Sequence, residues 1–127
     1  MRDPHIHVER TPLPGFGHAA MRDLIARATG LTSDLPKTVG TGCGRRRPLA
    51  MTSTVPERVT CLACREYARR RYLDEAESAE LLLQLCDAEP ELMARAGAKS
   101  GVTPADLAEQ AREDRAAAAR YATEVTR

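Results

Sequence analysis

Two cysteines separated by two residues, Cys61 and Cys64, have the residue type and spacing best suited to chemistry in this chain. A tight turn or a helix start brings the sulfurs of such a pair within bonding distance of one metal ion, and a helix start also favours the thiolate form. Cys43 lies 18 residues before Cys61, between Gly42 and Gly44, and offers a third thiolate. Structural zinc takes four ligands, so the three cysteines predict a zinc ion with one further ligand.

The candidates for the fourth ligand are His5, His7, His18 and Cys86. Cys86 lies 22 residues beyond Cys64 on what is predicted to be one helix, which places it roughly 33 Å away. It is therefore interpreted as a small buried residue on an apolar helix face. We favour His18, because it follows a glycine at the start of a predicted helix, and keep His7 and then His5 as alternatives. The predicted zinc ligands are thus His18, Cys43, Cys61 and Cys64.

Catalytic uses of these residues are disfavoured. No βαβ pattern surrounds the CxxC, as a thioredoxin-like redox pair would require. No glutamate accompanies a metal-binding histidine as it does in HExxH or HxE sites, and we find no nucleophile motif or phosphate-binding loop. We therefore expect no enzyme activity.

The surroundings of the cysteines also bear on where the protein works. The N-terminus lacks the apolar core of a secretory signal, and no run of about 18 apolar residues could form a membrane span. A cytoplasmic location and no membrane partner are therefore expected. In a reducing cytoplasm, paired cysteines are more often metal ligands than disulfides.

The first half of the chain must position Cys43 and a histidine. Residues 5–10 are predicted to form a short strand, and a helix is predicted from His18 to a stop at Gly30. Threonines and valines favour two strands, over residues 38–43 and 49–55, joined by a turn at residues 44–48.

The second half is predicted to be helical. A long helix is predicted to begin at Cys61 or Ala63, with Thr60 as N-cap. It is predicted to be long because no glycine or proline occurs before Pro90. A short helix over residues 91–96 follows, and then a glycine-containing break over residues 97–101. The last helix is predicted over residues 104–126, with Thr103 as its N-cap.

The charge distribution divides the chain in the same way. Residues 37–73 carry nine basic residues against two acidic ones, whereas residues 74–127 carry twelve acidic residues against six basic ones. The sequence contains one phenylalanine, three tyrosines and no tryptophan, so a lean core is expected to need a metal or an oligomer for support. We predict an α+β fold, mostly α. A zinc-binding β-hairpin/helix module of treble-clef or ribbon type spans residues 1–73, and an acidic helical hairpin, a candidate dimerisation arm, spans residues 74–127.

Arginines flank the predicted zinc site and suggest a function for it. Arginine side chains bind phosphate oxygens bidentately and read guanine edges, so a zinc-stabilised module that binds duplex DNA in a regulatory role is predicted. The alternative is a protein-interaction adaptor, with zinc purely structural. The arginines predicted to contact nucleic acid are Arg45, Arg46, Arg47, Arg65, Arg69, Arg70 and Arg71.

A resemblance to a known pattern rests on residues 41–44, Thr-Gly-Cys-Gly, and on residues 59–65, Val-Thr-Cys-Leu-Ala-Cys-Arg. This stretch resembles a His…TxCG…VTCxxC pattern in small zinc-ribbon-like proteins of actinobacteria and of their phages and plasmids. The resemblance implies zinc binding and names no activity. In that pattern the histidine lies closer to the first cysteine than His18 or His7 does here. A phage- or plasmid-encoded modulator of a host enzyme is one form that the adaptor alternative takes.

Overall fold

The computed structural model describes residues 4–11, 17–29 and 35–122, without the side chains of 25–29. Two strands pair antiparallel, with Val39 opposite Arg47, and helices make up most of the remainder. The prediction of an α+β, mostly α fold is confirmed. None of the helices in the described ranges is long and apolar enough to span a bilayer. The elements are α1 (His18–Thr29), β1 (Thr38–Gly40), β2 (Arg46–Pro48), α2 (Leu62–Ala88), α3 (Pro90–Ser100) and α4 (Pro104–Ala122).

The hairpin is tighter than predicted. The chain reverses between Thr41 and Arg45, where the Thr41 amide donates to the Arg45 carbonyl at 3.0 Å. β2 therefore occupies the residues predicted as the turn. Leu49, predicted to begin a strand, instead begins a short 3-10 turn and is buried against Ala19 and Val39. The prediction of a second strand over residues 49–55 was wrong because burial of Leu49 outweighed the strand preference of the threonines that follow.

The N-terminal segment, residues 4–11, lies extended between two other parts of the chain. On one side the His7 amide donates to the Met51 carbonyl at 2.8 Å. On the other side the Gly42 amide donates to the Val8 carbonyl at 2.9 Å. Isolated bridges at His7 and Glu9 take the place of the predicted continuous strand. These backbone hydrogen bonds carry His7 into the interior.

α2 and α4 form an antiparallel helical hairpin. Tyr72 stacks on Tyr121 with ring centroids 6.1 Å apart, and Glu80 accepts from Arg115 further along the pair. The buried residues along these two helices include alanines, whose small side chains let the helix axes approach closely. Among them are Ala76, Ala79, Ala111 and Ala118. The predicted boundary between residues 73 and 74 falls within α2.

The helix ends follow the local chemistry. Thr103 and Asp106 cap the start of α4 reciprocally, since each backbone amide donates to the other's side-chain oxygen, at 2.9 and 3.1 Å. α3 runs four residues further than predicted and ends at Gly101, which is left-handed with φ 77°. The N-cap of α2 is Cys61 and not Thr60, whose hydroxyl accepts from the Ile6 amide. Gly30 and residues 123–126 lie outside the described residues.

Among the described residues the core is lean. Val59, Cys64, Ala68 and Tyr121 form its main cluster, and Cys43 and Cys61 pack against it. Tyr121 belongs to α4, so the acidic helical region packs directly onto the part of the chain that holds the cysteines. A core with so few large side chains stabilises the fold weakly and needs further support.

Asp114 is a buried acid in the helical hairpin that yields a test of this packing. It is 6% exposed; its Oδ1 accepts from the Gln110 side-chain Nε2 at 2.9 Å, while its Oδ2 has no hydrogen-bond partner among the described residues. Burial raises the pKa of the Asp114 carboxyl. A raised folded-state pKa means that the fold loses stability as pH rises from the unfolded-state pKa, about 3.9, through the folded value.

We therefore expect Asp114→Asn to increase the free energy of unfolding at pH 7.5 by about 1 kcal/mol, because it removes an incompletely paired buried charge. Urea denaturation with zinc present measures this change. The control is Glu113→Gln, an exposed neighbour with the same change of charge. A destabilised Asp114→Asn protein with an unchanged control would show that the carboxylate is needed.

Candidate metal centre

Four side chains converge at one point near the start of α2. His7, Cys43, Cys61 and Cys64 each offer one ligand atom, and these atoms all lie within 4.8 Å of one another. The His7 Nδ1 is 3.7 Å from the Cys43 Sγ and 3.5 Å from the Cys64 Sγ. A tetrahedral zinc ion with Zn–S of about 2.3 Å and Zn–N of about 2.0–2.1 Å sets a ligand N···S separation of about 3.6 Å. The group therefore has the donors and the spacing to hold a metal ion.

The start of α2 positions two of the thiols. Cys61 is the N-cap and Cys64 lies in the first turn, so both sulfurs lie on one side of the helix while Leu62 and Ala63 are exposed. The first helical hydrogen bond, from the Arg65 amide to the Cys61 carbonyl, is 2.9 Å long. The unpaired amides at a helix start favour negative charge, which suits thiolate ligands.

The turn that carries Cys43 depends on the glycine at each side of it. A Cβ on Gly42 would lie 2.5 Å from a ring carbon of Tyr67, so only glycine lets the turn approach α2 this closely. Gly44 has φ 86°, a left-handed conformation that glycine adopts without strain. The Thr41 hydroxyl donates to the Arg45 carbonyl at 2.7 Å and lies 3.1 Å from the Cys43 Sγ.

The fourth donor is His7, whereas the sequence favoured His18. His7 is buried, and its Nδ1 faces the sulfurs. The His18 Nδ1 lies 2.9 Å from the carboxylate of Glu9, which also accepts from the Ala19 amide at the start of α1. His18 thus belongs to a helix cap and is not part of the group, which corrects the predicted ligand set. His5 is exposed and contacts the Thr60 hydroxyl.

The sequence signal for His7 was present but weak. Ile6-His7-Val8 is a β-branched pair around a histidine, which favours an extended segment with alternating faces. Nothing local shows that this segment inserts between residues 40–42 and 51–53. Cys86, on the same helix as Cys64 and near its far end, is not a member of the group, in agreement with the distance argument.

The thiols of the group differ in their affinity for a proton. Burial acts to raise the pKa of Cys43, but hydrogen bonds with Thr41, the Arg45 backbone, Cys64 and His7 outweigh it and lower the pKa to about 6. Burial, together with the neighbouring Cys61, raises the pKa of Cys64 to about 12. A divalent cation among the sulfurs would allow all of them to be thiolates, in exchange for protons.

The predicted basic surface is not assembled as a whole. Arg65 is 7% exposed, and its guanidinium donates to the carbonyls of Pro56, Val59 and Arg120. It also lies over the Tyr121 ring, at 5.6 Å. Arg65 therefore ties the start of α2 to the last turn of α4 and does not face solvent.

The other predicted arginines fall into two groups. Arg69 donates to Glu66 with both Nε and Nη2, at 2.9 and 2.6 Å, and Arg70 lies 3.4 Å from the same carboxylate. Arg71 is half-buried beside a cavity of about 70 Å³ that Tyr67 also lines. The hairpin arginines, Arg45 and Arg46, are exposed, with Arg47 half-buried in β2.

Comparison of the chain with protein-family models, with curated proteins and with solved structures found no match. Its function is therefore inferred from the geometry of this group and of the surfaces around it.

The assignment of His7, and not His18, as the fourth donor can be tested directly. We expect His7→Ala to lower the affinity for Zn²⁺ by about 100-fold or more. Loss of a residue that only hydrogen-bonds to a ligand lowers metal affinity by about 10–100-fold, and loss of the ligand itself should lower it more. His18→Ala is the matched control and should keep its affinity within about twofold, since the Ala19 amide still donates to Glu9. Competition with a chromophoric chelator under reducing conditions measures both. Loss of zinc by His18→Ala with retention by His7→Ala would contradict the assignment.

Proposed function

We propose that the chain is a zinc-stabilised binding module in which His7, Cys43, Cys61 and Cys64 hold one Zn²⁺. The observation that carries the proposal is the convergence of these four donors, which come from three separate segments and lie within 4.8 Å of one another. The two separations between the His7 Nδ1 and a sulfur, 3.7 and 3.5 Å, are those of a tetrahedral site. Three thiolates and one imidazole are a common ligand set of structural zinc. The protein would fill all four positions and leave none for a reacting water, which favours a structural ion over a catalytic one.

The ion would supply the support that the core lacks. In the part of the chain that the structure describes, the largest fully buried side chains are those of Val59, Thr41 and Cys64, and none of them is aromatic. A bound zinc would join the N-terminal segment, the hairpin turn and the start of α2 at one point. In small domains of this kind the free energy of metal binding is part of the free energy of folding.

The hairpin is the surface that we propose for nucleic acid. Between Asp34 and Glu57 the chain has no acidic residue, whereas Lys37, Arg45, Arg46 and Arg47 are basic. Arg45 and Arg46 are exposed directly after the turn that contains Cys43. Their guanidinium groups can bind phosphate oxygens, and a two-stranded ribbon fits the width of a DNA major groove. Zinc would then hold the turn, and with it the arginines, in a fixed position.

The two arginine groups provide an internal comparison. Arg69 and Arg70 share the carboxylate of Glu66, so part of their charge is already neutralised. Arg45 and Arg46 make no ion pair among the described residues, and Arg46 donates to the Thr38 carbonyl at 2.9 Å. Duplex DNA should therefore be bound chiefly by the hairpin and only slightly by the α2 arginines.

We expect Arg45→Ala/Arg46→Ala to weaken the binding of the zinc-loaded protein to a short DNA duplex. The slope of log Kd against log salt concentration should fall by about 1.8, because each lost phosphate contact reduces it by about 0.9. The matched control, Arg69→Ala/Arg70→Ala, removes the same charge and should change the slope much less. Fluorescence anisotropy at several salt concentrations measures both.

Zinc content of each variant shows whether the site is intact. If the wild-type protein does not bind duplex DNA, or if the control variant loses as much affinity as the hairpin variant, the hairpin proposal is wrong. The alternative of a protein-interaction adaptor rests on a different part of the molecule, the ends of α2, α3 and α4 that lie away from the metal centre.

A further inference from the structure

The helical region carries a long stretch with nothing buried. From Glu80 to Gln110 no residue is buried, although all of these residues are described and nearly all of them are helical. The stretch contains large apolar side chains, of which Leu92 is 60% exposed and Leu82 is 41% exposed. α3 contributes no buried residue at all. Helices gain most of their stability from packing an apolar face, so a surface of this kind points to a partner that covers it.

Some of the apolar residues of this stretch, Leu82 among them but not Leu92, line a groove. It has a volume of about 870 Å³ and lies among the end of α2, α3 and the start of α4. Gly97 lets the chain after α3 fold back closely, since a Cβ there would lie 2.9 Å from the Val102 carbonyl oxygen. No charged residue lines the groove. Its large apolar side chains are Leu82, Met93, Val102 and Leu107.

The acidic residues near the groove indicate what kind of partner would bind in it. Between Arg71 and Arg95 the chain carries seven acidic residues and no basic one. Asp87, Glu89 and Glu91 adjoin the lining residues Cys86 and Pro90 in sequence. These three acids are exposed and take part in none of the salt bridges between described residues. They would therefore attract a positively charged partner.

The same charges disfavour a second copy of this chain. An interface between two identical grooves would place Asp87, Glu89 and Glu91 of one copy near those of the other, and like charges across an interface oppose association. The basic residues of α3, Arg95 and Lys99, do not line the groove. On α4, Arg112 and Arg115 are paired with Glu109 and Glu80, so they do not offset the acids near the groove.

We propose that this groove binds a basic amphipathic helix of another protein. Apolar residues at i, i+3, i+4 and i+7 of that helix would fill the groove, and its lysines or arginines would face Asp87, Glu89 and Glu91. The proposal goes beyond DNA binding by the hairpin and does not depend on it. If both hold, the protein links a nucleic acid at one surface to a basic protein segment at another.

The test uses the zinc-loaded full chain and a synthetic helical peptide of about 18 residues, with leucines at the i, i+3, i+4, i+7 positions and lysines elsewhere. We expect saturable binding of one peptide per chain by fluorescence anisotropy. A peptide with glutamates in place of the lysines should not bind, and neither should a peptide of the same composition with the leucines scrambled. Equal binding of the scrambled peptide would overturn the proposal, because charge alone would then explain the interaction.

Variants locate the site. Leu82→Gln/Met93→Gln should raise the Kd about tenfold or more, whereas Leu24→Gln, which changes a leucine 65% exposed on α1, should change it about twofold at most. Asp87→Asn/Glu89→Gln/Glu91→Gln should weaken binding more than the matched Asp74→Asn/Glu77→Gln/Glu113→Gln protein. Circular dichroism and zinc content confirm that each variant folds.

Sedimentation equilibrium tests whether a second copy of this chain occupies the groove instead. We expect the wild-type chain to be monomeric at concentrations where the peptide binds. A dimer that Leu82→Gln/Met93→Gln dissociates would assign the groove to a second copy and overturn the proposal, as would equal peptide affinity of the groove variants and their controls.

Discussion

The structure depends on bringing four donor atoms together from segments far apart in the chain. His7 and Cys64 are 57 residues apart, and Cys43 lies on a third segment. Closing such loops is entropically unfavourable, and a core built mainly of alanine, valine and one tyrosine compensates for little of that loss. The backbone is arranged around this convergence: the N-terminal segment pairs with chain on both sides of it, and Gly42 allows the turn to lie against Tyr67. A metal ion at this point would bind the three segments to one another, and the hairpin arginines would be held in place with them.

The group of three cysteines and His7 is coupled to the helical hairpin through one side chain. Arg65, adjacent to Cys64, donates to carbonyls in the chain before α2 and to the Arg120 carbonyl near the end of α4. A buried guanidinium that donates to several carbonyls holds its geometry firmly, and removing it would take one donor away from each of those carbonyls. The acidic helices are therefore not a loosely attached tail. Because Arg65 is buried in these contacts, its guanidinium cannot contribute to a surface that binds phosphate.

The features that could be predicted from sequence are the local ones. The spacing of Cys61 and Cys64, the absence of glycine and proline before Pro90 and the Thr103 cap each report on a few neighbouring residues, and the structure agrees with them. His7, the register of β2 and the burial of Arg65 depend on contacts between residues distant in sequence. The preference for His18 weighed the backbone beside the histidine, whereas the outcome was decided by where residues 4–11 pair. Arg65 looked like its neighbours Arg69 and Arg70 because helical spacing alone does not show that α4 lies over it.

Two surfaces of opposite character result: a basic hairpin beside the metal centre, and an apolar groove flanked by acids at the far end of the helices. The group of His7, Cys43, Cys61 and Cys64 lies where the hairpin turn meets the start of α2, so the composition of this group is the central claim. X-ray absorption at the zinc K-edge of the reduced, purified protein tests it most directly. We predict one zinc per chain with about three sulfur ligands at about 2.3 Å and one nitrogen at about 2.0–2.1 Å, and loss of the nitrogen contribution in His7→Ala. A zinc-free protein, a shell of four sulfurs, or a nitrogen that persists in His7→Ala and disappears in His18→Ala would contradict the account.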